Sequence, residues 1–293
     1  MFSPAQSGGR ESVQQDRATA TLLADLKARI ARIGRPARIG DTKALPFGLP
    51  AIDARLPGGG LALGALHEVA GGGADIEHGA AAALLIGGIL ARLSGPVLWV
   101  LERPDLFAPA LDAVGLGPER VIYAEAGKPG VVLLTLEEGL RHAGLAGVVG
   151  ELSGRLTLVA SRRLQLAAEQ SGVTCFVLRR SRSHDDALFT EPTAAMTRWR
   201  VSALPSPPPL AHSPATSGLA RPRWRLDLVR CRGGEAASWI VEASDATGRL
   251  AVPADLADRP AAAAASGRRG PQCTNALGAR RAATRQAAGH RHA

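Results

Sequence analysis

Lysine is scarce in this chain. Of 35 basic side chains only three are lysines, Lys27, Lys43 and Lys128. Aromatic residues make up 3 % of the 293 positions, too few for a single-strand nucleic-acid surface built on stacked bases. Cysteine occurs three times, at Cys175, Cys231 and Cys273, widely spaced and odd in number. No disulfide framework or paired zinc motif follows, and a reducing cytoplasm is the expected home. The longest apolar run, Ala80 to Ala91, falls short of the roughly 18 residues that a membrane-crossing helix needs. The opening stretch, MFSPAQSGGRESVQQD, has no apolar core behind a basic start, so no secretory signal is expected. No G-x-S-x-G elbow is present, which removes support for a serine hydrolase.

What is there begins with 46 % apolar residues and a formal net charge of +9. Residues 259 to 293 hold seven arginines and no acid, so 9 − 7 leaves only +2 for the rest of the chain. The basicity therefore belongs mostly to a tail, 258–293, rich in arginine and alanine and expected to be disordered. Its Arg268, Arg269, Arg280, Arg281 and Arg285 are candidate contacts to DNA phosphates or to a partner.

Residues 1–17 are polar and expected to be disordered. Leu22, Leu26, Ile30 and Ile33 then recur at helical spacing, which predicts a helix over 18–36 that ends near Gly34-Arg35-Pro36. From residue 45 short apolar runs alternate with helical patterns. ALHEVA (65–70), PVLWVLE (96–102), RVIYAEA (120–126), LAGVVGEL (145–152) and VTCFVLRR (173–180) read as strands. Their alternation with helices predicts a parallel sheet covered on both faces. Three further strands follow without helices, around TRWRVSAL (197–204), RWRLDLVRCR (223–232) and SWIVEAS (238–244). Trp199, Trp224 and Trp239 fall in them as core candidates. The proline-rich stretch 205–222 cannot continue a central strand or a helix. One α/β domain over 45–252, extended by antiparallel strands, is expected. SHDD (183–186) reads as a solvated turn, and no metal site is expected.

HEVAGGGADIEHGAAAALL (67–85) has the layout of strand, glycine loop and helix that a phosphate-binding loop requires. A working loop follows G-x-x-x-x-G-K-[ST], in which backbone N–H groups surround the phosphates, the lysine reaches the outer ones and the hydroxyl holds magnesium. Here no lysine is near, Ala80-Ala81 follow Gly79, and Asp75 and Glu77 appear instead. A carboxylate in place of an ammonium about 4 Å from a phosphate reverses a term of roughly 1 to 4 kcal/mol. Neither ATP nor magnesium is expected as a cofactor, and the chain is read as a non-enzyme.

LPFGLPAIDARLPGGGLALGALHEV (45–69) resembles the segment that leads into the first core strand of the RecA-like recombinases, with Ile52-Asp53 and Gly59-Gly60-Leu61 matching. Together with HEVAGGGADIEHGAAAALL, WVLERPDLFAPAL and RCRGGEAASWIVEASDATGRL, it resembles the bacterial inducible-mutagenesis A (ImuA) proteins over about residues 19 to 250. That resemblance implies a RecA-like α/β core with a degenerate phosphate loop at Gly71, Gly72, Gly73 and Gly79. Glu102 matches the water-activating glutamate, and His78 or Ala80 takes the lysine position. Glu151 matches the metal-side aspartate, and Arg230 and Arg232 resemble a basic pair that reaches a neighbour's nucleotide. On the residues alone, Glu102 could pair with Arg103, Glu151 could open the next helix, and Arg230 and Arg232 could pair with Asp227 and Glu235.

The function implied is that of a non-catalytic accessory protein of SOS-induced mutagenesis and error-prone translesion synthesis, cytoplasmic and nucleoid-associated. Its implied partner is ImuB and, through it, an error-prone polymerase and the sliding clamp. RecA, and DNA by way of the basic tail, are the further candidates. A DNA-stimulated RecA-like ATPase and a SulA-like cell-division inhibitor are the alternatives.

Overall fold

The computed structural model describes residues 43–181, 189, 191–210, 213 and 215–253. The expected helix over 18–36, the SHDD turn and the basic tail lie outside these residues.

The described chain begins with β1 (Ala44–Leu45), which pairs antiparallel with β2 (Leu61–Ala62) around the one-turn helix α1 (Pro50–Asp53). Pro50 sits in the first turn, where its missing N–H leaves no bond unmade. The Asp53 carboxylate accepts from the backbone N–H groups of Phe47 and Gly48, at 2.7 and 2.9 Å, and so fixes the approach to the sheet.

The alternation read from the sequence follows: β3 (Leu66–Gly71), α2 (Asp75–Ala91), β4 (Val97–Leu101), α3 (Pro109–Asp112), β5 (Val121–Glu125) and α4 (Pro129–Gly139). It continues with β6 (Gly147–Leu152), α5 (Leu158–Ser171) and β7 (Thr174–Arg179). The strands β8 (Thr197–Leu204), β9 (Arg223–Cys231) and β10 (Ala237–Glu242) come last. Among its described residues, 205–222 holds no helix or strand. No helix among the described residues is long and apolar enough to cross a membrane.

Eight strands form one sheet in the order β10-β9-β8-β3-β7-β6-β4-β5. Every neighbour pair from β8 to β5 is parallel, and β9 runs antiparallel to both β8 and β10. The parallel set thus includes β8, which also begins the antiparallel extension. β6 and β7 are buried at every position, as strands covered on both faces must be. Their side chains alternate between two cores: Val149, Phe176 and Leu178 face the α2 side, Val148, Cys175 and Val177 the α4 and α5 side. Trp199 and Trp224 are buried and Trp239 packs against them, so the late strands join the first core. The glycine pair of α2 admits close contact: a Cβ on Gly88 would stand 2.4 Å from the Ser244 hydroxyl, and one on Gly87 2.9 Å from Leu111.

The central strand β3 carries two fully buried polar side chains. The His67 ring donates from Nε2 to the Ala62 carbonyl at 2.8 Å, so Nδ1 is left to accept from the Thr197 hydroxyl at 2.7 Å. That hydroxyl in turn accepts from Trp199 Nε1–H at 2.8 Å. Glu68 accepts from Arg198 Nε at 3.1 Å and from the Thr193 hydroxyl, with Arg179 Nη1 at 3.5 Å. Three further guanidinium donors go to the carbonyls of Phe189, Glu191 and Gly154, and Arg179 Nε is buried without a hydrogen-bond partner.

Two expectations follow from this buried network. Glu68→Ala leaves two buried guanidiniums without their counter-charge and should cost about 3 to 5 kcal/mol, read from the urea midpoint. Burial lowers the His67 pKa from 6.5 to about 4, against the bond to Ala62 that raises it. A histidine held neutral in the fold gives stability that is complete above its unfolded pKa and is lost as pH falls below it. Between pH 6.5 and about 4 the chain should lose about 3 kcal/mol from this group. His67→Gln should flatten the denaturation midpoint over that pH window.

Candidate functional site

At the carboxyl ends of the parallel strands, where nucleotides sit in open α/β sheets, the chain places an arginine. Arg180 follows β7, and its guanidinium reaches three carboxylates from three other places. Nε donates to Asp75 Oδ2 at 2.8 Å, Nη1 to Glu151 Oε2 at 2.9 Å and Nη2 to Asp105 Oδ2 at 2.9 Å. Asp75 opens α2, Glu151 lies on β6, and Asp105 is in the turn after β4. The second Glu151 oxygen accepts from the buried Trp99 Nε1–H at 2.9 Å. Burial raises the Glu151 pKa above the ordinary carboxylate range, and Arg180 and Trp99 pull it back. For Arg180 burial opposes the charge, but the three carboxylates outweigh it and hold its pKa above the usual value.

Glu102, at the end of β4, lines the same cavity and accepts from the Ser153 N–H at 2.7 Å and from its hydroxyl. Pairing of Glu102 with Arg103 is not what the structure shows. Nor does Glu151 open a helix, since α5 begins only at Leu158. The enclosed space among Asp75, Glu102, Arg103, Asp105, Glu151, Ser153 and Arg180 is about 40 Å³. By the roughly 10 to 15 Å³ that one water occupies on this measure, it has room for a few waters.

The loop itself is shorter than its sequence implies. β3 runs through Gly71 and α2 starts at Asp75, which leaves Gly72, Gly73 and Ala74 between them. Asp75 and Glu77, expected in the loop, belong with His78 to the first turn of the helix. Several backbone donors of this stretch are used within the chain. Gly72 N–H goes to the Val201 carbonyl at 2.9 Å, Asp75 N–H to Ser181 at 3.0 Å, and Glu77 and His78 N–H both to Ala74. A Cβ on Gly72 would lie 1.8 Å from the Ser202 hydroxyl, so glycine is needed here for close packing against β8. His78 accepts at Nδ1 from the Ala203 N–H at 3.2 Å and tethers α2 to β8 instead of standing in a lysine's place. Gly79 is buried against the Asp75 side chain.

The structure therefore brings Glu102 and Glu151 together in one cavity with Asp75 and Arg180, and leaves Arg230 and Arg232 elsewhere. Thr197, the first residue of β8, pairs with Cys231, whereas Leu204 at the other end pairs with Arg223. The basic pair thus lies at the opposite edge of the sheet. Arg230 donates to the Thr193 carbonyl at 2.8 Å and Arg232 to Ala194 at 3.2 Å. Their alternative partners are engaged otherwise: Asp227 lies 3.3 Å from Arg225, and Glu235 lies 3.0 Å from Arg55. Arg268, Arg269, Arg280, Arg281 and Arg285 lie outside the described residues. Arg180, Asp105 and Trp99 were not singled out in the sequence. The one signal for them is a basic residue that closes an otherwise apolar strand, in VTCFVLRR.

A mixed eight-stranded sheet with a glycine loop ahead of α2, and acids at the ends of β4 and β6, defines an α/β protein with a mostly parallel central sheet flanked by helices. No family profile matches the chain. It is 41 % identical over 239 residues to Protein ImuA of Caulobacter vibrioides, in strain NA1000 / CB15N and in strain ATCC 19089 / CIP 103742 / CB 15. The alignment covers 78 % of this chain and 96 % of that relative. The chain belongs to the ImuA family. Among solved structures, that of the RadB recombinase is similar at 18 % identity with a TM-score of 0.48, over 71 % of this chain and 99 % of that one.

Arg180→Met leaves Glu151 buried beside Asp75 and Asp105 without a counter-charge and should cost about 3 kcal/mol at neutral pH. A carboxyl whose folded pKa is raised gives stability at low pH that is lost as pH rises above its unfolded value. The deficit of Arg180→Met should therefore shrink as pH is lowered through the carboxylate range, and Glu151→Gln in the same chain should recover part of it. Denaturation midpoints across pH for the two variants check this.

Proposed function

We propose that this chain is a non-catalytic accessory protein of SOS-induced mutagenesis, a pseudo-ATPase that uses the RecA-like architecture for assembly. In this reading it supports error-prone translesion synthesis together with ImuB and, through it, an error-prone polymerase and the sliding clamp. Family membership supports the mutagenesis system as the setting. The observation that supports the non-catalytic part is Arg180: the chain's own guanidinium sits beside the start of α2, and three carboxylates hold it. A nucleotide would have to displace that cation from Asp75, Asp105 and Glu151 and would then meet their negative charge. Its phosphates would also find the N–H groups of Asp75, Glu77 and His78 already bonded.

Calorimetric titration of the full chain with ATP and magnesium should show no binding at micromolar concentration. Phosphate release should stay at background with and without single-stranded DNA, and Glu102→Gln should change nothing. Turnover that single-stranded DNA stimulates and Glu102→Gln abolishes would establish the ATPase reading instead.

A further inference from the structure

The same edge of the sheet carries a second hollow, which the Arg180 cluster only borders. It lies between α2 and the segment 105–111, holds about 210 Å³, and is lined on its apolar side by Ala80, Ala83, Leu84, Leu106, Phe107 and Ala110. Alanines on successive turns of α2 make its wall low and smooth. Ile76, one turn before Ala80, continues the same stripe. Ile76 is 94 % exposed and Phe107 71 %. Single exposed apolar residues need no account, but two bulky ones beside an apolar hollow mark a contact surface.

The rim is acidic. At the hollow itself Asp75 and Asp105 face Arg180, so 1 − 2 gives a net −1, and in the adjoining cavity Glu102 stands beside Arg103. Asp75 and Glu77 also sit in the first turn of α2, where they offset the positive end of the helix dipole. The field at this mouth repels anions and attracts cations, and that selects among occupants. A nucleic acid is turned away, whereas a polypeptide with an apolar anchor between basic residues gains from both floor and rim.

We propose that this hollow is a docking site for a basic segment of a partner protein, which lays an aliphatic side chain between Ala80 and Phe107 and its arginines or lysines over Asp75, Glu77 and Asp105. The inference rests on the reading of the chain as an assembly module, and it names the surface and the chemistry of what is bound. An established mode, an amphipathic helix in an apolar groove, needs only these elements.

The test uses the full chain and a fluorescein-labelled helical peptide with two leucines one turn apart and arginines at the flanking positions, read by fluorescence anisotropy. Binding should weaken with added salt and fall about tenfold or more when the leucines become serine. Ala80→Arg and Phe107→Ser, both at exposed positions, should each weaken it about tenfold while the thermal melting of the chain stays unchanged. Absence of binding, equal binding of a peptide with glutamates for arginines, or indifference to both substitutions overturns the proposal. A change in the chain's own sedimenting mass with Ala80→Arg also overturns it, by assigning the hollow to a second copy. ATP affinity beside intact peptide binding would count against the pseudo-ATPase reading alone.

Discussion

One guanidinium shared by three carboxylates ties together the parts of this fold that converge on its carboxyl-end edge. Arg180 joins the end of β7 to the start of α2, to β6 and to the turn after β4, through contacts of 2.8 to 2.9 Å. Each carboxylate alone would be a half-buried negative charge near other negative charges, and Glu151, 2 % exposed at its side chain, would be the worst placed. The arginine converts that repulsion into a bonded cluster. Its planar fork suits the task, because three donors can point at three acceptors at once, which a lysine's single ammonium does less well. The short loop before α2 belongs to the same arrangement: with only Gly72 to Ala74 between strand and helix, Asp75 is brought up to the arginine.

The interior of the central strand is polar to a degree that burial alone would penalise. His67 and Glu68 are both fully buried on β3, yet both ring nitrogens and most carboxylate contacts find partners on β2, β8, β7 or the connection at 191–197. Such groups are costly when one partner is missing and close to neutral when all are present. They therefore penalise a slipped pairing of β3 with β8. A shift of one residue would put Arg198 on the wrong face and leave Glu68 unpaired.

Charge is also distributed by position. The carboxyl-end edge is net negative around the Arg180 cluster, whereas Arg230 and Arg232 are at the opposite edge, tied to backbone carbonyls of the stretch that precedes β8. Acid and base that a linear reading groups into one nucleotide site are thus separated by the length of the strands. Burial removes one further group from chemistry: Cys175 lies inside β7, where the low polarity pushes its thiol pKa up and keeps it unreactive.

Much of the architecture follows from local patterns that survive without the rest of the chain. Short apolar runs such as VLWVL and TCFVL read as strands covered on both faces, proline excludes a central strand or a helix from 205–222, and a β–α alternation over this length predicts a mostly parallel sheet. The same local logic shows that the glycine loop lacks a cation of its own. What the sequence could not show is where another cation would come from, because Arg180 is 105 positions from Asp75, 75 from Asp105 and 29 from Glu151. Strand order brings them together, through β7 lying between β3 and β6. The loop's length was likewise decided late: Asp75, Glu77 and His78 are helix residues because the Asp75 N–H finds the Ser181 carbonyl and His78 finds the Ala203 N–H. Secondary structure here is set by neighbours in sequence, and the site by neighbours in space, since ion pairs act over a few ångströms whatever the number of residues between them.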